Sequence, residues 1–198
     1  MKAPIPSSQQ IFKAHRFVQG LALAACLAAL FLAPQPGLAK ETITATKGET
    51  YYTQFTMCYE ELRHLTTNYR KGVLVPVNTA VTFVKSSSSE IHVKLPAGGV
   101  LRLENVKEFS GEDIVGIFKR TLGKEKVNLD KFSAKERENI LLGNIDVGMS
   151  KDAVIKAYGY PPKHQTPSLE GNAWRYWRNR FATSIVQFKD GAVSDIQK

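Results

Sequence analysis

The chain has 198 residues, a length for one larger domain or two small ones. A hydrophobic content of 43% and a charged content of 23% exclude a disordered chain. The formal net charge is +9 but the basic residues are scattered, so anionic surfaces are favoured as partners and nucleic acid is not expected.

The N-terminus reads as a targeting segment. Lys13, His15 and Arg16 precede an apolar run from Phe17 to Ala33, and Pro34 and Pro36 interrupt it before Gly37-Leu38-Ala39. A basic start, an apolar middle and small residues before a cut define a secretory signal over 1–39, cleaved after Ala39. The run is short for a membrane span, so an uncleaved anchor is the alternative. Leu23-Ala24-Ala25-Cys26 also resembles a bacterial lipoprotein box, which makes Cys26 a lipidation candidate. Either route predicts export, to the periplasm or the periplasmic face of the outer membrane. After cleavage only Cys58 remains, so no intramolecular disulfide can form and packing must hold the fold.

Residues 40–108 have a β pattern. Thr50–Tyr59 is rich in β-branched and aromatic residues, and Val73, Val75 and Val77 alternate. Ala80–Val84 follows, then a serine turn, then the clean alternation Ile91-His92-Val93-Lys94-Leu95, then Val100–Leu103. Short strands at this rhythm predict a small barrel, and their order resembles an SH3-like barrel. His92 alternates out of the apolar face, which predicts a solvated strand histidine, and no His, Cys or carboxylate stands at metal-ligand spacing from it. Cys58 reads as a small buried hydrophobe. Cys58 with His64 is the sole nucleophile–base combination close in sequence. Tyr51, Tyr52, Phe55, Tyr59 and Tyr69 read as core, with a peptide or sugar groove as the alternative.

Residues 109–132 read as a helical connector. Ser110 is the expected cap, Asp113 stands at the box position, and Phe109 can staple onto Ile114. Ile114, Ile117, Phe118 and Leu122 make an apolar stripe, and Gly123 is the expected stop. Ser133 with Glu136 forms a second capping box ahead of Ile140, Leu141 and Gly143. Ser150 caps a third helix, with Met149 and Val154 at staple spacing. Gly159 ends it, and Pro161 and Pro162 forbid continuation.

Three strands complete the chain: Ala173–Arg178, Phe181–Phe188 and Ala192–Ile196, the last two joined across Asp190-Gly191, a strong hairpin signal. Gly148, Met149, Ser150, Val154, Gly159, Pro161, Trp174, Tyr176, Val186, Phe188, Asp190 and Gly191 together resemble the outer-membrane-protein assembly factor E family, the SmpA/OmlA domain. The resemblance covers 133–198 and implies two helices on a three-stranded antiparallel sheet. Tyr158 stands where that family usually has an aliphatic residue, and the β segment at 43–107 is no part of it.

The expected fold class is therefore α+β: a small SH3-like β-barrel, helices, and an ααβββ two-layer module. Strand alternation places Trp174, Tyr176, Val186 and Phe188 against the helices. The candidate partner-binding face is Arg175, Trp177, Arg178, Arg180, Phe181 and Ile185, with aromatic and Arg anchors of the kind interfaces favour. The expected function is a non-enzymatic exported envelope protein. Its partner would be an envelope protein, an anionic lipid or a cell-wall polymer, in outer-membrane assembly or maintenance. The alternatives are a small cell-wall-directed enzyme, or an inhibitor-like protein docking through its sheet. No cofactor and no metal are expected.

Overall fold

The strand-rich half opens with backbone that serves two neighbours in turn. In the computed structural model, which describes residues 41–198, Thr50–Tyr59 is two strands, β1 (Thr50–Thr53) and β2 (Met57–Tyr59). Between them the Gln54 N–H donates to the Thr121 carbonyl and the Thr56 N–H to the Lys156 carbonyl, both 2.9 Å, so the ladder gives way to contacts with distant segments. Cys26 and the cleavage site after Ala39 lie outside the described residues.

Five further strands follow: β3 (Arg63–Leu65), β4 (Val73–Val75), β5 (Ala80–Ser86), β6 (Glu90–Lys94) and β7 (Val100–Glu104). With β8 (Leu122–Gly123) they build a six-stranded sheet in the order β3-β7-β6-β5-β1-β8, while β2 and β4 pair as a separate ribbon. All pairs are antiparallel except β3 with β7. β3 has no counterpart among the expected strands. It is reached through a tight turn, Glu60–Arg63, whose central residues Glu61 and Leu62 both have positive φ, at 50° and 56°. Such turns normally use Gly or Asn, so the sequence carries no signal for this one. Inward residues Val81, Phe83, Ile91, Val93, Leu101 and Leu103 form the first core, as the alternation at 91–95 requires.

The segment 109–132 is divided between the sheets rather than free-standing. Ser110 does not cap the long helix. It ends a single turn, α1 (Lys107–Ser110), where Gly111 takes φ +67°, and its hydroxyl donates to Asn105 Oδ1 at 2.7 Å. Asp113 caps α2 (Ile114–Thr121) by accepting from the Gly116 N–H at 2.9 Å. Two cap-competent residues stood three apart, and the left-handed Gly111 decided between them. Ile117 and Leu122 are buried in the first core with Ile114 and Phe118 packed against it. Gly123 is not a stop; it pairs in β8 with Tyr52.

The second half follows its local chemistry closely. α3 (Ala134–Leu142) carries the Ser133–Glu136 capping box and stops at left-handed Gly143. α4 (Lys151–Tyr158) is capped by Ser150, and Met149 and Val154 are fully buried. Glu136 does more than its box requires: its carboxylate also accepts from the Ser150 N–H at 2.9 Å and the Ser150 hydroxyl at 2.8 Å, joining the two helix starts. Partial burial raises its pKa, but donation from Ser150 and Ser133 prevails and holds the carboxyl at about 2. β9 (Ala173–Asn179), β10 (Ala182–Lys189) and β11 (Ala192–Gln197) make the expected three-stranded antiparallel sheet in the order β11-β10-β9. Asp190 and Gly191 both have positive φ, as the hairpin turn demands. Trp174, Tyr176, Val186 and Phe188 are buried with Ile140, Met149 and Val154 in the second core.

The two cores are joined by polar contacts from the first half. Arg70 Nη1 donates to the Thr56 carbonyl at 3.0 Å, and Nη2 to the carbonyls of Gly143 at 3.2 Å and Ala157 at 3.5 Å. Its guanidinium lies 4.2 Å from the Tyr158 ring centre. Val77 and Phe132 cross the seam into the second core. Residues 41–198 accordingly form one compact unit.

Gly159 sits at a tight point of that seam. Its φ of 73° and ψ of −163° suit glycine alone, and an added Cβ would lie 2.6 Å from the Phe55 ring. Gly159→Ala is expected to cost about 2–3 kcal/mol of stability, from backbone strain and the displaced ring, read as a lowered urea midpoint.

Candidate docking face

β9 and β10 carry Arg175, Arg178, Arg180 and Lys189 and no acid, with Arg180 and Phe181 at the connecting turn. The Asn179 side chain shapes that turn by accepting from the N–H groups of Phe181 and Ala182, at 2.9 and 3.0 Å. The turn holds Phe181 outward at 86% exposure, the Arg180 guanidinium 4.8 Å from its ring centre.

The face turned away from the helices is partly covered. Trp177 is half-buried among Tyr69, Phe109 and His164, with ring centres 5.9, 6.3 and 6.1 Å away. Phe109 lies 4.7 Å from the His164 ring. Its ring therefore joins this aromatic patch instead of serving only as the expected staple on Ile114. Arg175 is held along the strand by donating to Thr183 Oγ1 at 3.2 Å, and Ile185 is half-buried. The intrachain cover thus reaches Trp177 and leaves Phe181 and Arg180 free at the tip.

Arg178 leaves this face. Trp177 pairs with Thr183 and Asn179 with Ala182, so Arg178 is the extra residue of a β-bulge. Two residues on from Tyr176, it shares the helix-facing side of β9 and lines a cleft with Ser184 and Val186. Strand alternation already groups Arg178 with Trp174 and Tyr176, so its listing on the candidate face with Arg175 and Trp177 is corrected. Tyr69 appeared only among the aromatics of the strand region, and His164 lies in a polar loop with no pattern. Both are brought to Trp177 by the tertiary fold.

Cys58 and His64 are neighbours but not as nucleophile and base. His64 Nδ1 lies 2.8 Å from the Cys58 carbonyl oxygen, to which it donates, rather than engaging the thiol. Burial raises the Cys58 thiol pKa against the opposing pull of Arg70, which disfavours the thiolate. Burial likewise drives the His64 pKa down to about 4, reinforced by Arg70 and Arg120. His92 Nε2 lies 2.8 Å from Glu90 Oε2 on its own strand. Among the described residues no group of three or more His, Cys, Asp or Glu is arranged to hold a metal, and no helix is long and apolar enough to cross a membrane.

Comparison with protein-family models, with curated proteins and with solved structures finds no match to this chain.

Proposed function

We propose that this chain is a non-enzymatic exported envelope protein that docks a partner through the β9–β10 hairpin and the aromatic patch behind it. The signal-like N-terminus supports export, to the periplasm or the periplasmic face of the outer membrane. The motif resemblance at 133–198 supports an SmpA/OmlA-like module acting in outer-membrane assembly or maintenance. Reading the first half as an SH3-like barrel belongs to the same proposal and rests on its run of short strands.

The observation that carries the reading is Phe181, a large apolar side chain held almost wholly in solvent beside Arg180, on a hairpin whose outer face also carries Arg175. A single exposed apolar side chain is ordinary. One fixed at a turn, under an arginine, beside a half-buried Trp-Tyr-Phe patch has the aromatic and Arg composition of an interface core. The hydrogen bond that commits His64 to a backbone carbonyl lends the wall-directed enzyme reading no support.

The test is capture from envelope extract by the wild-type chain and by Phe181→Ser with Arg180→Glu. Both side chains are exposed, so the double variant keeps its fold. Capture is expected to fall at least about tenfold, the loss of a hot-spot contact. Equal capture by a correctly folded variant would remove the hairpin from the interface.

A further inference from the structure

A cleft of about 470 Å³ opens on the helix side of the three-stranded sheet, bordered by Asn139 of α3 and Tyr158 of α4. Ile145 and Ile196 are its accessible apolar residues, Val186 being fully buried, while Asn139, Asn144, Tyr158 and Ser184 bring polar groups to it. The volume lies in the range of small-molecule sites.

The charge in the cleft is one-sided. Arg178, on the same side of β9 as Trp174 and Tyr176, takes part in none of the ion pairs found among the described residues. Lys198 also lines it. The acidic side chain in the lining, Asp146, is already committed: Lys135 lies 2.8 Å away and the Val147 N–H donates to it at 2.8 Å. Donation from Lys135, then from the Val147 N–H, holds its carboxyl below the usual range, so it stays an occupied anion rather than a counter-ion for Arg178.

We propose that this cleft binds a small organic carboxylate with an apolar body, the carboxylate on Arg178 and the body against Ile145 and Ile196. A planar guanidinium matches a carboxylate in two parallel hydrogen bonds, which gives orientation as well as attraction. The hydroxyls of Ser184 and Tyr158 and the Asn144 amide supply neutral donors alongside. The site is separate from the hairpin face, and it stands whether or not that face docks a partner.

Octanoate is the probe, titrated into the full-length chain and followed by amide chemical shifts. Saturable shifts are expected at Ser184, Asn144 and Arg178, with the affinity falling at least tenfold in Arg178→Gln and recovering in part in Arg178→Lys. Arg178→Gln should melt with the wild type, since its side chain holds nothing else in place. Equal binding of 1-octanol would overturn the proposal by showing that charge is not read. So would shifts confined to Phe181 and Trp177, or no saturable shift with the fold intact.

Discussion

Arg70→Met is expected to lower the unfolding free energy by about 2–3 kcal/mol, the upper range for losing hydrogen bonds from a half-buried charged group. The Arg70 guanidinium gathers three carbonyls from three places: Thr56 between β1 and β2, Gly143 at the end of α3, and Ala157 in the last turn of α4. Both helices present their negative ends to it, and the Tyr158 ring stacks on its face. Methionine would keep much of the stem packing and leave these carbonyls without their donor. Lysine would not replace the guanidinium, because a compact ammonium cannot reach separated acceptors in one plane. Urea unfolding followed by tryptophan fluorescence reads the effect, since Trp174 and Trp177 both lie in the second half. Arg70→Lys should recover less than half of the loss. A loss below about 1 kcal/mol in Arg70→Met, an ordinary surface value, would contradict the seam described here.

Acidification is expected to destabilise the protein in two separable windows. His64 is neutral in the folded chain down to about pH 4 because burial, then Arg70 and Arg120, oppose its charge, whereas its ordinary value is 6.5. Above pH 6.5 neither state binds the proton and this group adds no slope. Between 6.5 and 4 the unfolded chain binds more protons than the folded one, so stability falls as pH falls. Below 4 both states are protonated and the contribution is spent. The full loss is roughly 3 kcal/mol, from the separation of the two values. Glu136 acts lower, with stability present above its ordinary 4.5 and lost as pH falls towards 2. His64→Gln can keep a donor for the Cys58 carbonyl and removes the titration. Its urea midpoint should lose most of its pH dependence between 6.5 and 4 while keeping the fall below 4.5. An unchanged slope between 6.5 and 4 would assign that window to another group.

What could be read from the sequence was what local chemistry decides. Ser133 with Glu136, Ser150 with Gly159, and Asp190-Gly191 each specify their own turn or cap within a few residues, and the structure has them in place. The alternation of Ile91, Val93 and Leu95 likewise assigns its face without help from elsewhere. The misreading at Ser110 arose where two caps compete and a glycine's conformation selects one. The turn at Glu61-Leu62 was silent because neither residue favours positive φ; the pairing of β3 with β7 and the surrounding chain impose it.

The candidate site was half legible for the same reason. Strand alternation separated Trp177 from Trp174, and the tip residues Arg180 and Phe181 followed from the hairpin. The partners of Trp177 come from three distant segments, at Tyr69, Phe109 and His164, so no spacing rule could bring them together. Arg178 was legible too, since the alternation that sends Trp174 and Tyr176 to the helices sends Arg178 with them. Arg70 looked like any other polar residue of a loop, since two of its three acceptors lie at helix ends more than seventy residues away.

The docking claim is met most directly by a photo-crosslinking amino acid placed at position 181 of the full-length chain in cells. Phe181 makes its environment with solvent, so the replacement leaves the fold alone, and Val73, 55% exposed on the β2–β4 ribbon, serves as the control position. A discrete adduct at 181, absent at 73 and reduced when Arg180 is changed to Glu, is the result expected. No adduct at 181, or the same adducts at both positions, would contradict docking through the hairpin.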